Sequence, residues 1–440
     1  MKIISYLKNN VNMQVRTFAQ KQLWAVFAFL PILLSAQLNV TAEYRPRTEY
    51  RHGYKTMLNQ GDEAAFFTSQ RTRLNFDYKG EHTKYMLSIQ DVRVWGDHFQ
   101  LSNTSQQLMA HQAWAEYAFN KKIALRVGRQ ELVYDDARML GNVDWAQQAR
   151  AHDLALLKYE GNFKLHVGAA FNQLNEKLIN TNYPITNYKT MQFVWFNKKI
   201  SDINLSLLFL NNGFQYEDNS TPALGTIYKN VYSQTAGGRL IYNIQKLSLA
   251  TAAYYTGGKD AQSRTLSAYY LAAEANLKLN SSFIITAGYE LLSGTSDFEK
   301  VANPTTYVNR SFNPLYGTNH KFNGHLDYFY VGNYLNKNGL NDLYASLNYK
   351  KDKFSIGTTV HSFAAANKVR SLTGDEMDAQ LGVETDIYAG LDLNDQVKLT
   401  VGYSQMFGTA TLEKVSGGSS GVSNHWAFAM LAFKPKFLTK

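Results

Sequence analysis

Alternation with a period of two runs through the chain from Leu38 almost to its end, and it constrains the fold more than any other feature. In 38–51 the even positions include Leu38, Val40, Ala42 and Tyr44, and the odd ones are Asn39, Thr41, Glu43, Arg45, Arg47, Glu49 and Arg51. In 66–78 one face reads Phe66, Thr68, Gln70, Thr72, Leu74, Phe76, Tyr78 and the other Phe67, Ser69, Arg71, Arg73, Asn75, Asp77. The pattern returns at 163–172, 269–278, 283–291 and 380–390, and further strands are readable near 113–119, 123–130, 188–197, 203–211, 232–242, 247–256, 343–349, 354–363, 397–406 and 426–433. Successive side chains of a strand point to opposite faces. Segments of about 9–11 residues with one apolar and one wet face are the pattern of membrane-crossing strands. No helical apolar stripe of useful length competes.

A soluble sandwich would bury one face of every strand, yet the wet faces here carry charges repeatedly. Tyr78, Tyr117, Phe119, Tyr159 and Tyr349 stand near the ends of apolar faces, where aromatic girdles sit. Closure into a barrel leaves no strand edge unpaired in the bilayer. At about 22 residues per strand and link, the chain after residue 36 makes on the order of 18 strands. The fold expected is therefore all-β: one transmembrane, antiparallel, up-and-down β-barrel over 37–440. Short links such as Asn120-Lys121-Lys122 and Gly161-Asn162 are expected as periplasmic turns, and the polar tracts 97–108, 212–229, 294–325 and 411–424 as outer loops.

The N-terminus sets the compartment. Residues 1–36 hold Lys2, Lys8, Arg16 and Lys21 but no acid, then the apolar run Leu23 to Leu34 and the small-residue exit Ser35-Ala36. This is a secretory signal cut after Ala36, and Met13 is an alternative start for a shorter one. A mean hydropathy of −0.34 excludes a multi-span helical protein. The absence of Cys excludes a disulfide scaffold, a thiol nucleophile and a Cys-ligated zinc. The net charge is +10, but the basic residues are scattered strand by strand, which does not suit nucleic acid. No HExxH, G-x-S-x-G, P-loop or dinucleotide fingerprint occurs, so neither cofactor nor metal is expected. His320 and His325, five apart, match no standard metal spacing.

Parity places Arg45, Arg47, Arg51, Arg71, Arg73, Arg126 and Arg239 on wet faces, toward the lumen. Guanidinium stays charged at any working pH and grips carboxylate or phosphate bidentately. The same parity turns Glu43, Glu49, Asp77, Glu116, Glu274, Glu290, Glu384 and Asp386 inward, so each arginine is either an anion contact or half of an ion pair. Arg129 breaks the parity that Arg126 keeps. The strand either bulges or ends there, and Glu131 to Trp145 reads as a loop; with Asp135, Asp136, Arg138, Asp144 and Arg150 the segment is charged with both signs. It either self-pairs at the surface or folds into the barrel.

Two stretches go beyond pattern: VGRQELVYDDARMLGNVDWAQQAR (Val127 to Arg150) and FNPLYGTNHKFNGHLDYF (Phe312 to Phe329). With QDVRVWG (Gln90 to Gly96), Arg45-Pro46-Arg47 and the closing WAFAMLAFKPKF (Trp426 to Phe437), the chain resembles the alginate-export family of outer-membrane barrels, in particular its members from Bacteroidetes-type bacteria. The resemblance implies a monomer of about 18 strands in the outer membrane of a Gram-negative bacterium, passing an anionic polysaccharide through an arginine-lined constriction. It also favours 129–150 as the loop that sets that constriction, with Arg129, Asp135, Arg138, Asp144 and Arg150 as its candidate residues. The expected solutes are anionic oligo- or polysaccharides or similar small anions, and the expected neighbours are outer-membrane lipids. A general non-specific porin, or an outer-membrane barrel enzyme or adhesin, are the alternatives.

Overall fold

The computed structural model describes residues 37–439 except 102–107, 184–186, 219–226, 319, 331–333 and 335. The signal expected over 1–36 lies outside the described residues. Strands follow one another in sequence: β1 (Gln37–His52), β2 (Ala65–Lys79), β3 (Thr83–Val94), β4 (Met109–Ala118), β5 (Ile123–Gln130) and β6 (His152–Glu160). Next come β7 (Lys164–Phe171), β8 (Thr190–Ile200), β9 (Ile203–Asp218), β10 (Ile227–Ile244), β11 (Leu247–Lys259) and β12 (Thr265–Lys278). The wall ends with β13 (Phe283–Leu292), β14 (Leu340–Lys351), β15 (Phe354–Ala365), β16 (Gln380–Asn394), β17 (Val397–Gly408) and β18 (Asn424–Phe433). After Lys434 and Pro435 a short β19 (Lys436–Thr439) continues the line of β18 along β1. Proline has no N–H for the ladder, which accounts for the break.

Each strand pairs antiparallel with the next, and β18 returns to β1, with Tyr44 opposite Phe433 and His52 opposite His425. The result is a closed barrel of 18 walls among the described residues, without a free edge. Linkers are short at the end that holds Gln37 and long at the other, the periplasmic and extracellular ends of an outer-membrane barrel. The outward face is apolar and exposed, as at Leu157, Val194, Leu207, Leu271, Ile285, Leu347 and Val401. Exposed aromatics rim both ends: Tyr50, Phe66, Tyr255, Tyr269 and Tyr289 on the long-loop side, Tyr85, Tyr117, Tyr242 and Phe354 on the short-turn side.

Three readings of the sequence change. The tract 212–229 is not a loop throughout, because β9 runs on to Asp218 and β10 resumes at Ile227. The strands β3 and β6 join those readable from alternation. In β6 the inner face carries Leu154 and Leu156, both buried, so His152–Glu160 lacks the apolar and wet alternation. Arg129, expected among the constriction residues, stays within β5 and out of the lumen. It sits on the outer face opposite Asp153, with which it forms an ion pair of 2.9 Å.

The upper lumen is filled from within. The loop 131–151 after β5 and the loop 293–339 after β13 both turn into the barrel. The second opens with a short helix, α1 (Asp297–Ala302), capped by Ser296. A second helix, α2 (Ala410–Ser416), lies in the loop after β17. Leu132, Met139, Leu140, Phe312, Tyr316, Leu326, Tyr328 and Phe329 of the inward loops form one buried cluster with wall residues such as Leu156, Phe193, Leu210, Tyr270, Phe363 and Trp426. The core is therefore inside the barrel, made where the loops cover the wall.

Candidate functional site: a loop across the lumen

The loop 131–151 is held at both of its ends by side chains of the wall. On one side stand Arg45 and Arg47 of β1 and Arg71 and Arg73 of β2, all buried. Arg45 donates to Gln147 Oε1 at 3.1 Å and to the Asp144 carbonyl at 2.9 Å. Arg47 donates to the Trp145 carbonyl at 2.7 Å and to Glu49 at 2.9 Å. Arg71 pairs with Glu43 and with Asp144, the latter at 2.9 Å. Arg73 grips Gln90 of β3 at 2.7 Å, and Gln90 in turn donates to the Gln148 carbonyl at 2.9 Å. Main-chain carbonyls drawn into a lumen need donors, and the arginines supply them.

The far end reaches the opposite wall. Asp136 accepts from Arg239 of β10 at 2.9 Å, and Trp195 of β8 donates to Asp135 at 3.2 Å. Strands β1 and β10 are nine apart in a ring of 18, so the loop crosses the lumen. Burial would raise the Asp144 carboxyl, but the Arg71 and Arg45 guanidiniums outweigh it and hold the group below the usual carboxylate range. Burial raises Asp135.

The second inward loop lies against the first. Leu140 and Tyr316 form a parallel bridge, the Gly141 N–H donates to the Tyr316 carbonyl at 2.9 Å, and the Thr318 N–H donates to the Ala137 carbonyl at 2.8 Å. A side chain at Gly317 would strike the Arg138 carbonyl. Arg138 itself spans to Glu290 of β13 at 2.8 Å and to Asn323 at 2.9 Å. An aromatic column joins the loops to β1. The Arg47 guanidinium lies 4.1 Å above Trp145, which stacks on His320 at 4.1 Å, and His320 stacks on His325 at 4.9 Å. Burial pushes the His325 imidazole down to about 4. Beneath it the Leu326 N–H donates to Glu384 at 2.7 Å and the His325 N–H to Asp386 at 3.3 Å.

Chambers remain around these loops. An outer vestibule of about 560 Å³ is lined by Arg47, Arg51, Lys55, Trp145, Arg150 and Tyr330, among others. A periplasmic chamber of about 650 Å³ lies below the arginines, beside Asp77, Glu131, Lys434 and Lys436. A third, of about 360 Å³, is lined on the other side by Arg239, Glu274, Glu290, Asp342 and His361.

This architecture has relatives. A family model described as alginate export matches residues 36–424. The chain belongs to the alginate export family. Among solved structures, OccAB2 of Acinetobacter baumannii is similar at a TM-score of 0.60 and 12% identity, over 91% of this chain and 98% of that one. OccK3 (OpdO) of Pseudomonas aeruginosa gives 0.59 at 11% identity, over 91% and 96%. OpdK of Pseudomonas aeruginosa, solved with vanillate, gives 0.56 at 9%, over 90% and 99%. No curated protein matches. This alginate export protein is an outer-membrane channel of a Gram-negative bacterium, and its family and structural neighbours are channels rather than enzymes.

Within this family member the residues singled out by parity have separate fates. Arg45, Arg47, Arg71 and Arg73 come together under the crossing loop. Arg239 stands at its far end, while Arg126 is at the periplasmic end, paired with Glu116 at 2.7 Å beneath Trp114. Of the acids, Glu43 and Asp144 join the arginines, Asp77 faces the periplasmic chamber, and Glu116 collects Lys84, Arg126 and Lys158. Glu384 and Asp386 are fully buried, so they secure the second loop instead of facing an open lumen. Gln90, Gln147 and Trp145 were absent from the expected site. Gln90 stands in QDVRVWG and the other two in the long motif, so the motif positions carried the signal that parity lacked.

Proposed function

We propose that this channel passes anionic solutes, with anionic oligo- or polysaccharide as the first candidate, as a monomer and without energy coupling. Arg150 carries the reading. It lines the outer vestibule, its hydrogen bond goes to the neutral Gly317 carbonyl at 3.0 Å, and among the described residues no carboxylate lies within ion-pair distance of it. Burial pulls its pKa down from the usual arginine value, and a guanidinium stays charged in proteins at working pH. A fixed cation with no carboxylate partner among the described residues, in a narrow polar passage, draws anions and repels cations. The vanillate of OpdK is a carboxylate, which supports the reading by likeness.

The engagement of Arg45, Arg71 and Arg73 by the loop favours a second reading, a weakly selective general porin. Reversal potentials in a planar bilayer under a salt gradient separate the two. Anion preference is expected from the wild type, with uronate oligomers blocking the current, and Arg150→Gln should cut the anion-to-cation permeability ratio at least twofold. A wild type that prefers neither ion, or a variant with unchanged selectivity, overturns the anion reading and leaves the general porin.

A further inference from the structure

On the side of the barrel away from the arginines, a cavity of about 480 Å³ opens between β9–β12 and the loop 293–339. That volume is within the ~300–1,000 Å³ usual for small-ligand sites. Its lining differs in kind from the vestibule. Of its two carboxylates, Asp260 is paired with Arg264 at 2.7 Å, and Glu217, at the rim, accepts a long hydrogen bond from the Tyr228 hydroxyl at 3.4 Å. The rest of the lining is neutral: six amides, of which Gln215 and Asn309 spend their NH2 groups on Asn230, Asp260 and Asn336, several hydroxyls, and the apolar faces of Phe214, Tyr216, Leu266 and Leu315.

The other four amides, Asn187, Gln262, Asn313 and Asn336, are oriented alike. Asn187 Oδ1 accepts from the Tyr188 N–H at 2.8 Å, Asn313 Oδ1 from the Leu315 N–H at 2.8 Å, and Gln262 Oε1 from Arg264 at 3.1 Å. Asn336 Oδ1 accepts from the Asn309 amide at 2.7 Å, and Asn309 Oδ1 is itself taken by the Ser311 N–H at 3.0 Å. Each partner offers only a donor, so the oxygen and nitrogen of each amide cannot be exchanged. Every oxygen is used within the protein, and among the described residues the four NH2 groups have no acceptor.

We infer that this cavity binds an uncharged sugar ring. Sugar hydroxyl oxygens accept from amide NH2 groups, their O–H groups can donate to wall hydroxyls, and the C–H face of a pyranose packs on Tyr216 or Phe214. A free carboxylate on the ligand is not required, because among the described residues no cation lines the cavity. The site is independent of the anion reading, since no member of the arginine wall and no residue of the crossing loop lines it.

Saturation-transfer NMR on the full chain, folded in a sugar-free detergent, tests this with cellobiose as probe. Transfer to the ring C–H protons is expected. It should fall at least fivefold in Tyr216→Ala, in Gln262→Leu and in the cavity-filling Ala261→Trp, and stay unchanged in Arg150→Gln. Heat-modifiable gel migration confirms that each variant is folded, and two folded variants suffice. No transfer in the wild type, equal transfer in all folded variants, or stronger transfer to glucuronate than to cellobiose overturns the inference.

Discussion

At the scale of single residues, the arginines of β1 and β2 show how far parity reaches. It turned Arg45, Arg47, Arg71 and Arg73 inward, as the structure has them, because side-chain direction in a strand depends only on odd and even. Pairing with lumen acids was legible too, and Glu43 and Glu49 supply it for Arg71 and Arg47; the loop carbonyls and Asp144, some 70 to 100 residues away, were not, since no local rule connects them. Arg129 was misplaced among the constriction residues although its broken parity was read; the charge faces outward, and Asp153 across the ladder makes it tolerable near the rim. Asp144 is the residue to test. Removing one partner of a buried pair costs about 3–5 kcal/mol, and the 48% exposure of this carboxylate reduces that to about 1–2 kcal/mol. Asp144→Asn should therefore loosen the loop and raise single-channel conductance and noise at pH 7.

The acid dependence has a definite sign. The carboxyl of Asp144 is depressed in the folded chain, so its contribution is complete above the unfolded value, about 4, and fades as pH falls through the folded one. Conductance of the wild type should stay level from pH 8 to pH 5 and rise only below about 4. A rise that begins near pH 6 would assign the gate to another group.

Among elements, the strands with one covered and one lipid-facing side were the hardest to see. Where the inner face is polar, alternation is plain, as in β1 and β2, whose inward arginines and acids stay charged although the loop buries them. Where the inner face instead packs apolar side chains of the inward loops, both faces turn apolar, as in β6, and the period disappears. The loops themselves were legible as polar, motif-bearing segments, but their inward course depends on backbone contacts between them. Gly317→Val should part the two loops at the Arg138 carbonyl. Replacing 134–148 by a Gly-Ser linker should go further, raising conductance severalfold while the heat-modifiable band of the barrel persists. Unchanged conductance in the linker variant would mean that the crossing loop does not limit flow.

For the molecule as a whole, the number of strands followed from length and spacing, and closure from the rule that no backbone group stays unpaired in lipid. The outward face is the property that places it in a membrane. Leu271, exposed in the middle of β12, is expected to lie near the midplane. Leu271→Arg should cost about 2–4 kcal/mol, measured by urea unfolding from lipid vesicles, and Leu271→Phe close to nothing. An equal, small effect of both would take that position out of the hydrocarbon.

A thin cylinder resists stretching along its wall but flattens easily. Here a spoke runs from Asp136 against β10 to Asp144 against β1 and β2, fastened at each end by opposite charges. Such a spoke fixes the cross-section, so the shape of the pore is set by a tension member inside it as well as by the hoop of strands around it. Squeezing by the surrounding lipid would then load the ion pairs at its two ends first.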